Sequence, residues 1–212
     1  MKALVIGATG ATGKDLVTAL VQDPYYTEVV TFVRRRTGIT HPRVFEIVTD
    51  FNKLEEVSEF IKGDVLFSCL GTTLKAAGSK ENQWCIDYEI PAKFAEIAKS
   101  NGISSVVLLS AYGASVTSNV FYSKLKGQLE ENIGRHAFEQ YIIFRPGLLL
   151  RKDTDRLGER ISAGVLKILN EMTLLKKFQP LPTSTLAAKL AKAPRILPAG
   201  THKVELDKIF RF

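Results

Sequence analysis

Three residues in the middle of the chain have the types and spacing for acid–base chemistry on a small molecule. Tyr122 and Lys126 are four apart in Tyr122-Ser-Lys-Leu-Lys126, so on a helix both project from one face. Ser110 lies twelve residues before Tyr122, at the end of the apolar run Val106–Ser110. Reduction of a carbonyl needs a hydride donor, a proton donor and a group that holds the oxygen. Tyrosine ordinarily titrates near 10. A cation at Lys126 would stabilise the phenolate and lower that value, which makes Tyr122 a proton donor, or a base in the reverse direction. Ser110 would bond and orient the substrate oxygen. Chance helical packing is the competing reading of Tyr122 and Lys126, and Ser110 together with the glycine loop described next weighs against it.

The hydride must come from a cofactor, and the N-terminus supplies a place for one. Gly7-Ala-Thr-Gly10-Ala-Thr-Gly13 follows the apolar run Ala3–Gly7 and opens a helical pattern. Glycines there permit a tight turn and close approach of backbone to a pyrophosphate, and the helix N-terminus offers free N–H groups. Gly7, Thr9, Gly10, Ala11, Thr12 and Gly13 are therefore candidate cofactor contacts, against the plain alternative of a glycine-rich turn. The second apolar run ends in Arg34-Arg35-Arg36. An Asp or Glu at such a place favours NAD. Arginine instead suits the 2′-phosphate of NADP, so NADP(H) is expected over NAD(H), with Arg34 first and Arg35 next. Asp50 and Phe51, after the third run, would flank adenine. Leu70, Gly71 and Thr72, after the fourth, would let the cofactor ribose pass.

These residues require a scaffold, and the hydrophobic pattern provides it. The runs Ala3–Gly7, Glu28–Val33, Val44–Val48, Val65–Leu70, Val106–Ser110 and Tyr141–Phe144 are short and mostly apolar, as strands covered on both faces are. Helical patterns lie between them, over Thr12–Gln22, Lys53–Ile61, Asn82–Ser100 and Ser123–Ile133. The alternation predicts an α/β fold, a Rossmann-like doubly wound parallel sheet with helices on both faces. With 212 residues, one domain is expected. Residues 1–150 would form the cofactor-binding core and 151–212 a small C-terminal cap over the substrate region.

Composition is that of a globular protein: 45% hydrophobic and 24% charged residues leave ample material for a core and argue against disorder. No apolar run has the length of a transmembrane helix. Met1-Lys2 leads straight into Ala3–Gly7, too short for the apolar region of a signal peptide. Cys69 and Cys85 lack metal or redox spacing and read as reduced thiols, Cys85 as helix packing. A cytoplasmic location is the expectation. His41, His136 and His202 have no ligand spacing, so no metal is expected.

The net charge of +7 resides in the C-terminal part, where residues 151–212 carry 13 Lys and Arg against 6 Asp and Glu. Arg151, Lys152, Lys176, Lys177, Lys189 and Lys192 read first as a solvated face, with attraction of an anionic substrate as the alternative. No stacking aromatics are interleaved, which argues against nucleic acid. The stripe Leu157, Ile161, Val165, Leu169 and Met172 reads as core packing, with a homodimer or other protein contact as the alternative.

Taken together, the glycine loop, Ser110, Tyr122-xxx-Lys126 and Arg145-Pro146-Gly147 resemble the short-chain dehydrogenase/reductase superfamily over roughly residues 1–150. GxxGxxG and Arg-Pro-Gly point to its extended or atypical branch. The resemblance implies an NADPH-binding Rossmann fold, Ser110, Tyr122 and Lys126 as catalytic residues, Lys126 also on the nicotinamide ribose, and Pro146 at the cofactor. Many relatives add an Asn on the helix after strand four to support a proton relay. Here Asp87 takes that place, so any relay differs. The expected activity is NADPH-dependent interconversion of a small carbonyl and its alcohol. The alternatives are a nucleotide-sugar epimerase or dehydratase, for which a 60-residue cap leaves little room, and an NADP(H)-sensing binding protein without turnover, which would not need all three residues.

Overall fold

The computed structural model describes residues 1–150 and 179–212. Its centre is a seven-stranded, wholly parallel sheet. In chain order the first elements are β1 (Lys2–Ile6), α1 (Ala11–Gln22), β2 (Glu28–Val33) and β3 (Val44–Val48). A 3-10 helix over Leu54–Phe60 precedes β4 (Val65–Ser68). Then come α2 (Leu74–Ala77), α3 (Lys80–Trp84), a π-helical turn (Cys85–Glu89) and α4 (Ile90–Ser100). The chain continues through β5 (Ser105–Leu109), α5 (Phe121–Arg135), β6 (Gln140–Arg145) and the short pair β7 (Leu149–Leu150) and β8 (Leu181–Pro182). It closes with α6 (Thr183–Ile196), β9 (Gly200–Glu205) and α7 (Asp207–Arg211).

The sheet order is β3-β2-β1-β4-β5-β6-β9. Chain order reverses beside β1, with β2 on one side and β4 on the other, and the crevice beyond the strand ends at such a point is where ligands bind. All six predicted strands form, within a residue or two at their ends. The pattern at Lys53–Ile61 gives a 3-10 helix rather than an α-helix. Asn82–Ser100 lies in three consecutive helical segments that start at Lys80.

Each face of the sheet has its own core. On one face Leu16, Val17 and Leu20 of α1 and Leu186 and Leu190 of α6 bury against Val5, Phe67 and Phe144. On the other, Phe94 and Ala95 of α4 and Leu129 and Ile133 of α5 bury against Leu4, Leu66 and Val106. Two covered faces explain why the strands read as continuous apolar runs.

The segment expected as a cap divides at its described boundary. Residues 151–178, including Arg151, Lys152, Lys176, Lys177 and the Leu157–Met172 stripe, lie outside the described residues. Residues 181–212 join the main body: β9 pairs with β6 as the edge strand, and α6 packs on α1. Thr183 Oγ1 donates to Asp15 Oδ2 at 2.6 Å, and Tyr26 Oη donates to the Ala191 carbonyl at 2.6 Å. The run Gly200-Thr-His-Lys-Val-Glu205 carried no strand signal because, at the sheet edge, only Val204 in it is buried.

Candidate active site

The glycine loop turns directly out of β1. Gly7 has φ +82, in the left-handed region, and a Cβ there would stand 2.5 Å from the Cys69 and Leu70 backbone. A Cβ on Gly13 would meet the Gly7 carbonyl oxygen at 2.0 Å, so α1 can start against the loop only with glycine. Gly10 is the N-cap of α1 and brings no side-chain cap, and the first turn holds no acidic residue. The free N–H groups of that turn face a groove and suit an anion.

The groove consists of two adjoining cavities of about 680 and 710 Å³. They share Gly10, Cys69, Leu70, Gly71 and Thr72. The first runs over Gly7 and Thr9 to Arg34, Asp50 and Phe51. The second runs over Ala11, Thr12 and Gly13 to Ser110, Tyr122 and Lys126. One continuous groove thus brings together the glycine loop, the ends of β2, β3 and β4, and the Ser-Tyr-Lys set. Its uncapped helix end suits the pyrophosphate of a dinucleotide. Arg35 and Pro146 are not among the lining residues. Arg35 is exposed, as is Arg36. Pro146 is buried, and its carbonyl accepts from the Tyr112 N–H at 2.9 Å, so it holds the loop after β5. Asp50 accepts from the Asn52 N–H at 3.0 Å, a turn that fixes the loop after β3.

Lys126 is almost fully buried, and its Nζ lies 5.8 Å from the Tyr122 ring centroid. Its ion partner is Asp87, with Nζ 3.6 Å from Oδ2. The other carboxylate oxygen of Asp87 accepts from the Thr72 N–H at 2.7 Å, tying the pair to the loop after β4. Burial pushes the Lys126 ammonium below its ordinary value and the Asp87 carboxyl above its own, and each charge opposes the shift of the other. Burial also pushes the Cys69 thiol up to about 12, against the Lys126 charge, so Cys69 is no nucleophile at neutral pH.

Asp87 reaches Lys126 from the π-helical turn Cys85–Glu89. Pro91, four residues on, has no N–H for the Asp87 carbonyl, and its ring crowds that oxygen. The turn widens, and the Ile90 N–H bonds the Cys85 carbonyl instead. Pro91 is therefore a local signal for the irregular turn that presents Asp87.

Ser110 is buried at the end of β5, where its N–H donates to the Phe144 carbonyl at 2.8 Å. Its hydroxyl donates to Glu130 Oε1 at 2.5 Å. Glu130 is buried too, and Arg145 grips it with Nε at 2.9 Å and Nη2 at 2.5 Å. Arg145 Nη1 holds Glu205 of β9 at 2.7 Å. Arg145 of the Arg-Pro-Gly motif therefore serves an ion-pair network behind Ser110. Sequence reasoning passed over Glu130 and Glu205. Glu130 continues the Tyr122, Lys126 spacing by one more step of four, which was its available signal. Glu205 had none, since the β6–β9 pairing that brings it to Arg145 is long-range. Among the described residues no group of His, Cys, Asp and Glu could hold a metal ion.

A parallel sheet in this order, with a glycine loop at the switch point, defines an NAD(P)-binding Rossmann protein of the short-chain dehydrogenase/reductase type. A family described as NAD(P)H-binding matches residues 7–165, and the chain belongs to that family, in the atypical branch close to HTATIP2. Protein FMP52, mitochondrial, from Eremothecium gossypii is 36% identical over 182 residues, 85% of this chain and 80% of that protein. Protein HTATIP2 from Rattus norvegicus is 35% identical over 160 residues, 73% of this chain and 66% of that protein. UDP-glucose 4-epimerase of Thermotoga maritima, solved with UDP-glucose, superposes with a TM-score of 0.72 at 15% identity, covering 97% of this chain and 77% of that one. MoeE5 in complex with UDP-glucose and NAD gives a TM-score of 0.72 at 15% identity, covering 99% of this chain and 79% of that one. At such identities these structures establish the fold alone. The expected cytoplasmic location is overturned, because the FMP52 relatives carry the designation mitochondrial. No helix among the described residues is long and apolar enough to cross a membrane.

Proposed function

We propose that the protein is an NADP(H)-dependent oxidoreductase that interconverts a small carbonyl compound and its alcohol. The observation that carries this reading is the single groove joining Arg34 and the glycine loop to Ser110, Tyr122 and Lys126. The N–H groups at the start of α1 would hold the pyrophosphate, Arg34 a 2′-phosphate, and Leu70–Thr72 would lie along the ribose. A bound nicotinamide nucleotide supplies or accepts the hydride. Tyr122 gives its phenolic proton to the substrate oxygen in reduction and takes it back in oxidation. The Lys126 ammonium stabilises the phenolate, and Asp87 keeps that ammonium charged in a buried setting. Ser110 bonds the same substrate oxygen and fixes its position.

The test is Tyr122→Phe, measured for NADPH affinity and for turnover on a panel of aldehydes, ketones and UDP-sugars. Unchanged affinity with a loss of about 10²- to 10⁴-fold in rate is expected. A wild-type protein that binds NADPH and turns over nothing in the panel would favour the cofactor-sensing alternative.

A further inference from the structure

The second cavity has a polar corner that Ser110, Tyr122 and Lys126 do not use. Ser79 caps α3 and accepts from the Asn82 N–H at 3.1 Å. Lys80 and Gln83, three apart on that helix, both line the cavity. Among the described residues that line it, Lys80 and Lys126 are cations and none is a carboxylate. Asp87 already neutralises Lys126. Lys80 has its Nζ 5.6 Å from the ring centroid of Phe121, the neighbour of Tyr122 in the chain. The carboxylate next to it, Glu81, is bonded by Ser79 and by backbone at the start of α3. No other described carboxylate forms an ion pair with Lys80. Gln83 is 3% exposed, and its Nε2 donates to the Thr72 carbonyl at 3.1 Å. An amide nitrogen carries two hydrogens, so one is left for a ligand in the cavity. The wall beside this corner is apolar. Leu74 and Val120 are 46% and 63% exposed there, surface that a ligand would cover.

We propose that Lys80 and Gln83 hold a carboxylate of the substrate, so that the site takes amphipathic oxo acids and the corresponding hydroxy acids. The carbonyl lies at Tyr122 and Ser110, the apolar body rests on Leu74, Val120 and Leu149, and the carboxylate meets the Lys80 ammonium and the Gln83 amide hydrogen. This rests on the reading of the groove as a site of carbonyl chemistry and adds the class of substrate to it. One cation and one amide hydrogen match the charge and the two oxygens of a carboxylate. A diphosphate would bring more charge and more acceptors than this corner can pair.

The experiment compares acids with their own esters. The probes 5-oxohexanoate, 7-oxooctanoate and 4-acetylbenzoate, each beside its methyl ester, are titrated by calorimetry onto the NADP⁺-loaded protein, where a ketone receives no hydride. Wild type, Lys80→Met, Lys80→Glu and Gln83→Met are measured, and NADPH affinity is read for each. Wild type should bind an acid about tenfold tighter than its ester, the scale of a hydrogen-bonded charge, and the preference should fall as salt is raised. Lys80→Met keeps an apolar stem over Phe121 and should bring the preference to about twofold or less. Lys80→Glu should reverse it. Gln83→Met should lower it about threefold. Equal affinity for acid and ester in wild type, a preference that survives in both Lys80 variants, or no binding by any pair overturns the inference. A Lys80→Met protein that loses NADPH affinity and keeps the acid preference also overturns it, since the ammonium then serves the cofactor. Turnover of the same pairs is read separately with NADPH. Acid preference without turnover would remove the oxidoreductase reading and leave the carboxylate site standing. Turnover without acid preference would do the opposite.

Discussion

Asp87 and Lys126 form an ion pair at 3.6 Å in which both side chains are almost wholly withdrawn from water. Asp87 reaches it from a π-helical turn, and Lys126 from the helix that carries Tyr122. A buried cation persists only with such a partner, since desolvation alone would expel its proton. The pair therefore couples the loop after β4 to the charge on which the proposed role of Tyr122 depends.

Removing the carboxylate should expose this dependence. Asp87→Ala leaves a buried uncompensated charge and should cost about 3 kcal/mol in denaturant unfolding. Asp87→Asn keeps an acceptor for the Thr72 N–H but loses the charge that opposes desolvation of Lys126. Lys126 then gives up its proton at lower pH than in wild type. With the folded value depressed below the unfolded one, the unfolded chain binds more protons between the two. Stability of the Asn variant should thus rise as pH climbs through that window. The alkaline limb of kcat/KM should move to lower pH. Stability and rate curves that coincide with wild type would show that Asp87 does not support the Lys126 charge.

Cofactor choice should rest on one of the three adjacent arginines. Arg34 lines the groove beside Asp50, whereas Arg35 and Arg36 face solvent outside it. Arg34→Ser should weaken NADPH at least about tenfold, the scale of a charge-assisted hydrogen bond, and leave NADH nearly unchanged. Arg35→Ser should change neither by more than about twofold, since an isolated exposed charge contributes little. Thermal-shift titrations at two salt concentrations read both. NADPH selectivity that survives in Arg34→Ser would place the 2′-phosphate elsewhere.

Glycine is demanded unequally within the loop. Gly13→Ala puts a methyl group 2.0 Å from the Gly7 carbonyl oxygen and must push α1 off the loop. A loss of about 3 kcal/mol, accompanied by loss of NADPH binding, is expected. Gly10→Ala meets its nearest neighbour, the same oxygen, at 3.3 Å and should cost far less. Unfolding curves and NADPH titrations for the two variants give the comparison. Equal costs would mean that the loop relaxes freely around either methyl group.

Six of the seven strands of the sheet and most of the groove residues are legible in the chain alone. Apolar runs such as Val65–Ser68 reveal buried parallel strands because both of their faces are covered, and local chain order then puts the loops after β1, β2 and β4 at one end. Gly7–Gly13, Ser110, Tyr122 and Lys126 were legible because each lies at the end of such an element or at helical spacing within it. The tertiary structure alone decided which charges those residues meet. The edge strand β9 has too little buried surface to show a period, and only its pairing with β6 brings Glu205 to Arg145. Nor does local pattern say that Lys126 pairs with Asp87 while Glu130 takes the Ser110 hydrogen. Those partners are 39 and 20 residues apart, and which of two buried carboxylates each group meets depends on the packing of whole helices against the sheet.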